Sequence, residues 1–262
     1  MLSWRAKRQL IALLVIAIPF ALVAFWAIGR IIPAPSCTDN AKNQEETGVD
    51  CGGPCAPCEL RYPKPVTVFW TRIVPVTTDA YDAAAEIENS NENLSSAVVE
   101  YEFELQDELG PVAFRSGKTF LLAQEKIHVI ESNIKTSREP QRVVFKIKTV
   151  EWQLRKETKP TLVVERRDYK VRKDANKTRG LIETSIFNRS PLNFKDTEVR
   201  AIVLDPDGNL LGANKVIIDK FLSGTREVVV LIWPEELKGE IVSIIIEPRV
   251  NTLDLGTILA PE

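Results

Sequence analysis

Histidine and cysteine are scarce in this 262-residue chain, and their scarcity removes most catalytic chemistry. His128 is the only histidine, so a histidine-pair metal site lacks its second ligand and a histidine-based triad has little support. Between Ile127 and Val129, His128 is expected in a strand and turned to solvent. All four cysteines fall between Cys37 and Cys58. No set of nucleophile, base and orienting group can be named, so an enzyme, an envelope hydrolase included, is disfavoured. Positive charge is not in excess either. The chain has 34 basic and 36 acidic residues, whereas a nucleic-acid binder needs a basic surface. No stretch beyond residue 60 has the period of an amphipathic helix.

Acidic residues are absent from the first thirty positions, and charge of either sign is absent from Leu10 to Gly29. A bilayer core of about 30 Å takes about 20 apolar residues in a helix. Arg5, Lys7 and Arg8 precede the run and only Arg30 follows closely, a bias that keeps the N-terminus in the cytoplasm. Trp4 and Trp26 sit near the ends, where amphipathic rings prefer the interface, and Pro19 is tolerated inside a membrane helix. The expectation is a cytoplasmic segment 1–9, a transmembrane helix 10–29 in a single-pass cell-membrane protein, and an extracytoplasmic remainder. A cleaved signal peptide ending at Ala34-Pro35-Ser36 is the rival and gives a secreted protein, but its apolar region would usually run about 7–15 residues. A lipid-modified Cys37 would call for an apolar residue such as Leu at position 34. All three place the bulk of the chain outside the cytoplasm.

Residues 30–65 read as a Cys/Pro-rich stalk. Cys37, Cys51, Cys55 and Cys58 allow three pairings, among which sequence does not choose. Disulfides suit an oxidising compartment. Zinc would also take four thiolates, but structural sites usually pair two close-spaced couples and only one exists here. A thioredoxin-like role for Cys55-Ala56-Pro57-Cys58 lacks the surrounding βαβ pattern. Asp39, Asn43, Glu46 and Asp50 would share one face of a helix, and their hard oxygens suit calcium. The plainer alternative is a short helix from Thr38 to Glu46, capped by Thr38 or Asp39 and stopped by Gly48.

From residue 66 the pattern is strand-like. Val99, Tyr101, Phe103 and Leu105 alternate with glutamates, one buried face and one wet. Phe145-Lys146-Ile147-Lys148 alternates likewise. Val228–Trp233 and Ile241–Ile246 are more continuously apolar, as strands inside a sandwich can be. The pattern occurs twice. Ile87-Glu88-Asn89 corresponds to Ile186-Phe187-Asn188, Asp107–Gly110 to Asp205–Gly208, Leu122–Lys126 to Leu222–Arg226, and Trp70 to Tyr169, each about 98–100 residues on, the size of an immunoglobulin-like sandwich. Each Asp-x-x-Gly suits a hairpin turn. The expectation is all-β: two tandem immunoglobulin-like β-sandwiches over 66–156 and 157–250, then a tail, 251–262.

Phe103-Glu104-Leu105-Gln106-Asp107 resembles the bacterial FxLYD motif, with Gln106 in place of Tyr, and Ala201–Asp205 resembles a weaker copy. That family is similar to late-embryogenesis-abundant-like β-sandwiches, and the resemblance implies an extracytoplasmic, often membrane-tethered protein with no agreed biochemical activity. The stalk, Cys37 through Cys55, resembles the C-x-D-G-x-x-N-x-x-E-x-x-x-D-C-G-G-x-C element of bacterial surface proteins, with Asn40 in place of Gly. Anchor, stalk and two sandwiches together resemble surface proteins of small-genome bacteria.

Charge is uneven outside the anchor. Arg155 to Arg179 holds ten basic residues against Glu157, Glu165, Asp168 and Asp174. Such a patch can dock an anionic glycan or an acidic envelope protein, with Arg166, Arg167, Arg172 and Lys173 as the contacting residues. The alternative is a solvated linker and edge strand kept soluble by charge. The functional expectation is a non-catalytic interaction or spacer protein of the cell envelope, without nucleic acid and with no cofactor unless the stalk takes calcium. An accessory subunit of a secretion or pilus assembly is the alternative.

Overall fold

The computed structural model describes residues 4–31, 37–43, 45–174 and 177–260. It is mainly β, with one long N-terminal helix, and divides into two units, 1–61 and 62–262. In the first unit, α1 (Trp4–Ile31) runs unbroken past Pro19. Its stretch Lys7–Ala27 is long and apolar enough to cross a membrane, and none of it is buried within the protein. The candidate cleavage site at 34–36 lies outside the described residues.

The stalk is held by two interleaved disulfides, Cys37–Cys55 and Cys51–Cys58. They close loops of 18 and 7 residues, each worth about 3 kcal/mol or less in the chain-entropy account. With every thiol spent, the zinc alternative has no ligands. Among the described residues the helix expected over Thr38–Glu46 is absent; turns and bends run from Cys37 to Ala41 instead. The cause is the buried Asp50 carboxylate, which accepts the backbone N–H groups of Asp39 at 2.8 Å and Asn40 at 3.1 Å and bends the chain around itself. Asn40 takes a left-handed φ of 58°, a conformation Gly and Asn adopt most easily. Among the described residues of the stalk the one helix is α2 (Cys58–Arg61), which aims Arg61 back at Asp50 at 3.0 Å.

The second unit contains two sandwiches of identical connectivity. In the first, β1 (Thr67–Thr77), β2 (Ala80–Asn89) and β5 (Glu125–Lys135) form one sheet in the order β1-β2-β5. It faces a sheet of β3 (Leu94–Asp107), β4 (Gly110–Leu121) and β6 (Arg142–Val150), ordered β4-β3-β6, with the short β7 (Gln153–Leu154) on β3. In the second, β8 (Leu162–Asp174), β9 (Lys177–Asn188) and β12 (Arg226–Trp233) form the sheet β12-β9-β8. Its partner contains β10 (Asn193–Leu204), β11 (Leu210–Phe221) and β13 (Ser243–Arg249), ordered β11-β10-β13, with β14 (Ile258–Leu259) on β10. Residues 258–259 therefore belong to the sandwich rather than to a free tail.

Local chemistry explains the elements. Val99, Tyr101, Phe103 and Leu105 are all buried, and they form the first core with Ala83, Ala85, Ile87 and Phe145. The second core gathers Ile182, Ile186, Val199, Val203, Leu231 and Trp233 among others. Gly110 and Gly208 take φ of 121° and 77° at the two Asp-x-x-Gly turns, where a side chain would be strained. β12 is not continuously buried: Val229, Leu231 and Trp233 point inward, and Val228, Val230 and Ile232 face out.

Both outermost faces of the pair carry charged ladders. On β4-β3-β6, Glu100 pairs with Lys118 at 2.8 Å, Glu102 with Lys148 at 2.7 Å, and Glu104 with Lys146. On β12-β9-β8, Glu165 pairs with Arg226 at 2.9 Å and Glu183 with Lys170 at 2.8 Å.

One buried asparagine closes each sandwich. Asn89 Nδ2 donates to the carbonyls of Leu94 at 2.7 Å and Leu122 at 2.8 Å, while its Oδ1 accepts the N–H of Asn91. Asn188 repeats the pattern with Leu192, Phe221 and Ser190. Each ties the end of one sheet to the start of the other. Asn89→Ala and Asn188→Ala should each cost at least about 1–3 kcal/mol of unfolding free energy, because buried carbonyls lose their donor. A change within about 0.5 kcal/mol for either, in denaturant titrations, would show that its sandwich closes by other contacts.

Candidate functional site

The sandwiches are joined by a seam with two faces of different character. The sheet β1-β2-β5 lies against β11-β10-β13, so β2 is buried on both sides: Ala83 and Ala85 in the first core, Ala84 against Ile130, Ile202 and Ala213. Alanine at these positions lets the layers approach closely. Around this apolar patch runs a buried ionic network. Arg200 on β10 donates through Nη2 to Glu198 at 2.7 Å and Thr119 at 3.1 Å, and through Nη1 to the His128 carbonyl. Arg249 on β13 reaches Glu125 at 2.8 Å and the Phe120 carbonyl at 3.1 Å, with its guanidinium 4.0 Å above the Phe120 ring. Lys215 on β11 meets Glu131 on β5 at 3.1 Å, and Tyr101 also donates to Glu131, at 2.7 Å.

His128 belongs to this network and is not turned to solvent. It is 7% exposed, its Nδ1 lies 2.6 Å from Glu247 Oε1, and its ring packs 5.4 Å from that of Trp70. Burial opposes the Glu247 anion, but the His128 contacts and the charge of Arg200 outweigh it and hold that carboxyl below its usual range. Burial pushes the Arg249 guanidinium down to about 10. Nε of Arg200 and of Arg249 is buried without a partner, so the seam retains some desolvation cost.

At one end the seam opens into adjoining clefts of about 490, 460 and 720 Å³; the first two share Val76, Thr77, Asp82 and Trp233, and the third brings Lys177 beside Glu235 and Glu236. The pairing of β2 with β5 is irregular here: Tyr81 faces Ile134 and Ala83 faces Glu131, so Ser132 and Asn133 oppose Asp82 alone. This is a β-bulge, a feature that recurs beside functional sites. Asn133 takes φ of 55° and donates its N–H to Asp82 Oδ1 at 2.9 Å. Asp82 is 2% exposed, and burial pushes its pKa up from 3.8 to about 7. Trp233 is equally buried. Its Nε1 makes no hydrogen bond of ordinary length, although it lies close enough to Asp82 to favour the anion. The loop after β12 is anchored by the Gly180 N–H on the Glu235 carbonyl at 3.0 Å and by the Leu237 N–H on Tyr169 Oη at 2.9 Å, and it places Glu235 and Glu236 on the first cleft. Sequence reasoning missed this site. Its one signal is a lone carboxylate in the run Tyr81-Asp82-Ala83-Ala84-Ala85.

The sites expected from sequence lie elsewhere. Asp39, Asn43, Glu46 and Asp50 are close together but engage the chain itself. Asp39 accepts from Asn43 Nδ2 at 2.7 Å, a hydrogen bond that lowers the pKa of the Asp39 carboxyl. Glu46 accepts the Asp50 N–H at 3.0 Å, and Asp50 is paired with Arg61. A Glu46 oxygen also lies beside Cys37 and Cys55, whose sulfurs are joined to each other. In the basic segment, Arg166 is paired with Asp168 and, at 3.5 Å, with Glu183. Arg167, Arg172 and Lys173 have no acidic partner among the described residues. A comparison with models of known protein families finds no match for this chain, and a comparison with curated proteins finds none either.

Two outcomes follow for the seam and cleft. Arg200→Ala removes a buried guanidinium on which half-buried Glu198, Thr119 and the His128 carbonyl all depend and should cost about 3–5 kcal/mol, whereas Arg166→Ala, on an exposed edge, should cost under about 1 kcal/mol. Equal losses in chemical denaturation would place Arg200 outside any essential network. The raised Asp82 pKa means that the folded state binds the proton more tightly. Its stabilising contribution is complete below pH 3.8 and is lost as pH rises through about 7. Asp82→Asn should therefore gain stability relative to the parent between pH 4 and 8, by up to about 4 kcal/mol. A difference that stays constant across that range would show that Asp82 is ionised throughout.

Proposed function

We propose that this chain is a membrane-anchored, non-catalytic binding protein of the cell envelope, with both sandwiches outside the cytoplasm as one block. The apolar helix and the stalk disulfides support the anchored, extracytoplasmic placement. The FxLYD-like segment of β3 supports the same class.

One observation carries the binding reading. The β8–β9 hairpin continues beyond Gly180 as exposed ladder, and there Arg172 stands directly opposite Arg179. Like charges in facing positions destabilise a strand pair. Lys173 and Lys177 are exposed beside them. A chain that keeps this arrangement at a hairpin end has a use for it, and an anionic partner, glycan or protein, relieves the repulsion. The block therefore acts as a rigid presenter of a cationic hairpin. The accessory-subunit reading places the same contact on an acidic neighbour within a membrane complex.

The test is retention of the full-length protein on immobilised dextran sulfate. The parent should bind at low salt and elute as ionic strength rises, since exposed charges are screened over about 8 Å under physiological conditions. The variant carrying Arg167→Gln, Arg172→Gln, Lys173→Gln and Arg179→Gln should pass through unretained, with a melting transition no lower than the parent's. Equal retention of parent and variant would remove the hairpin from the function.

A further inference from the structure

Two guanidiniums stand in register near the end of the β8–β9 hairpin. Arg172 and Arg179 face each other across the ladder, and both are exposed. Side chains in such positions have Cβ atoms about 4.5–5.5 Å apart. Alternation along each strand puts the two on the outer face, with Lys170 and Glu183. Neither arginine has an acidic partner among the described residues. On the next rung of that face, toward the hairpin end, Asp174 stands opposite Lys177. Arg179 also lines the second cleft, whose walls carry Thr77, Ser132, Asn133 and Asn214. The side-chain amide of Asn133 is without a partner among the described residues. At about 460 Å³ this cleft lies within the range of about 300–1,000 Å³ typical of ligand sites.

We propose that Arg172 and Arg179 clamp one phosphate monoester, borne by a sugar that occupies the second cleft. The inference rests on the reading of the hairpin as a cationic contact, and it names the partner's chemistry. Each guanidinium offers a planar fork of N–H donors. A phosphate monoester carries about −1.5 to −2 of charge and three strong acceptor oxygens. It fills both forks at once and offsets both charges. A carboxylate has two oxygens and one charge, and it fills a single fork. A sulfate ester has oxygens enough but only one charge. Asp174, one rung away, tells against a broad anionic surface such as a bilayer, which would meet that carboxylate together with the arginines. A single phosphate group reaches the pair beside it. The cleft selects the carrier. Sugar hydroxyls both donate and accept, as do the hydroxyls of Thr77 and Ser132 and the amides of Asn133 and Asn214.

The experiment is displacement of the full-length protein, in nonionic detergent micelles, from phosphocellulose at about pH 8, where the monoester is dianionic. The competitors are glucose phosphate, glucose sulfate and inorganic phosphate. Glucose phosphate should release the parent at about a tenth of the concentration that either of the others needs, as expected for one further charge-assisted contact. Arg172→Lys with Arg179→Lys keeps the charge but replaces each fork by a point charge. This pair should lose most of the advantage over glucose sulfate and keep the advantage over inorganic phosphate. Asn133→Gly, which the left-handed φ of 55° admits, should do the reverse. No retention of the parent, equal release by all three competitors, or an advantage over only one of the other two overturns the proposal. So does an advantage over the sulfate that survives in the lysine pair. The dextran sulfate comparison reads the charge of the hairpin alone. Its expected result together with equal release here would sink the clamp and leave the hairpin reading standing. Equal retention of parent and glutamine variant there would sink the hairpin reading itself.

Discussion

A sheet buried on both faces governs this structure. In β1-β2-β5, one set of side chains fills the first core and the alternate set meets the second sandwich. Every polar group on that second set must then find a partner inside the protein, because water is excluded. The arginines of β10 and β13 supply those partners, and the carboxylates of β5 and β13 return the charge. The ionic network is thus a consequence of the double burial. It brings little net stability of its own, since desolvation of two guanidiniums offsets much of the attraction. What it adds is register: a one-residue slip of β10 against β5 would strand every charge at once.

The same double burial explains which features could be read from the sequence. The alternation of β3, the two hairpin glycines and the repeat of Asn89 at Asn188 were legible, because each depends on local geometry or on self-similarity. His128 was not. Glu86, His128, Arg200 and Glu247 occupy the positions of a wet face, and period-two alternation looks the same whether that face meets water or another charged sheet. β12 misled in the opposite sense. Its outward row of Val228, Val230 and Ile232 reads as core, but β-branched residues also suit an exposed strand. Asp82 was hidden because its environment is made by residues far apart in the chain, Asn133 and Trp233 among them.

The candidate binding features cluster around one end of the second sandwich. The loop at Glu235 is fixed by Gly180, and Gly180 is where β9 passes from the cationic hairpin into the core.

The two sandwiches share one connectivity, yet they meet through different sheets: β1-β2-β5 of the first copy against β11-β10-β13 of the second, which corresponds to β4-β3-β6. Such a head-to-tail contact has no symmetry that closes it, and identical units joined this way would stack without end. The first copy still has its β4-β3-β6 face free, and the second its β12-β9-β8 face. Those two faces bear the paired glutamates and lysines of one ladder and the Glu165, Glu183, Lys170 and Arg226 groups of the other. On the first of these faces every glutamate of the ladder is paired, which gives a further unit little to gain there and a desolvation cost to meet. The ladder on β4-β3-β6 thus caps that end of the pair.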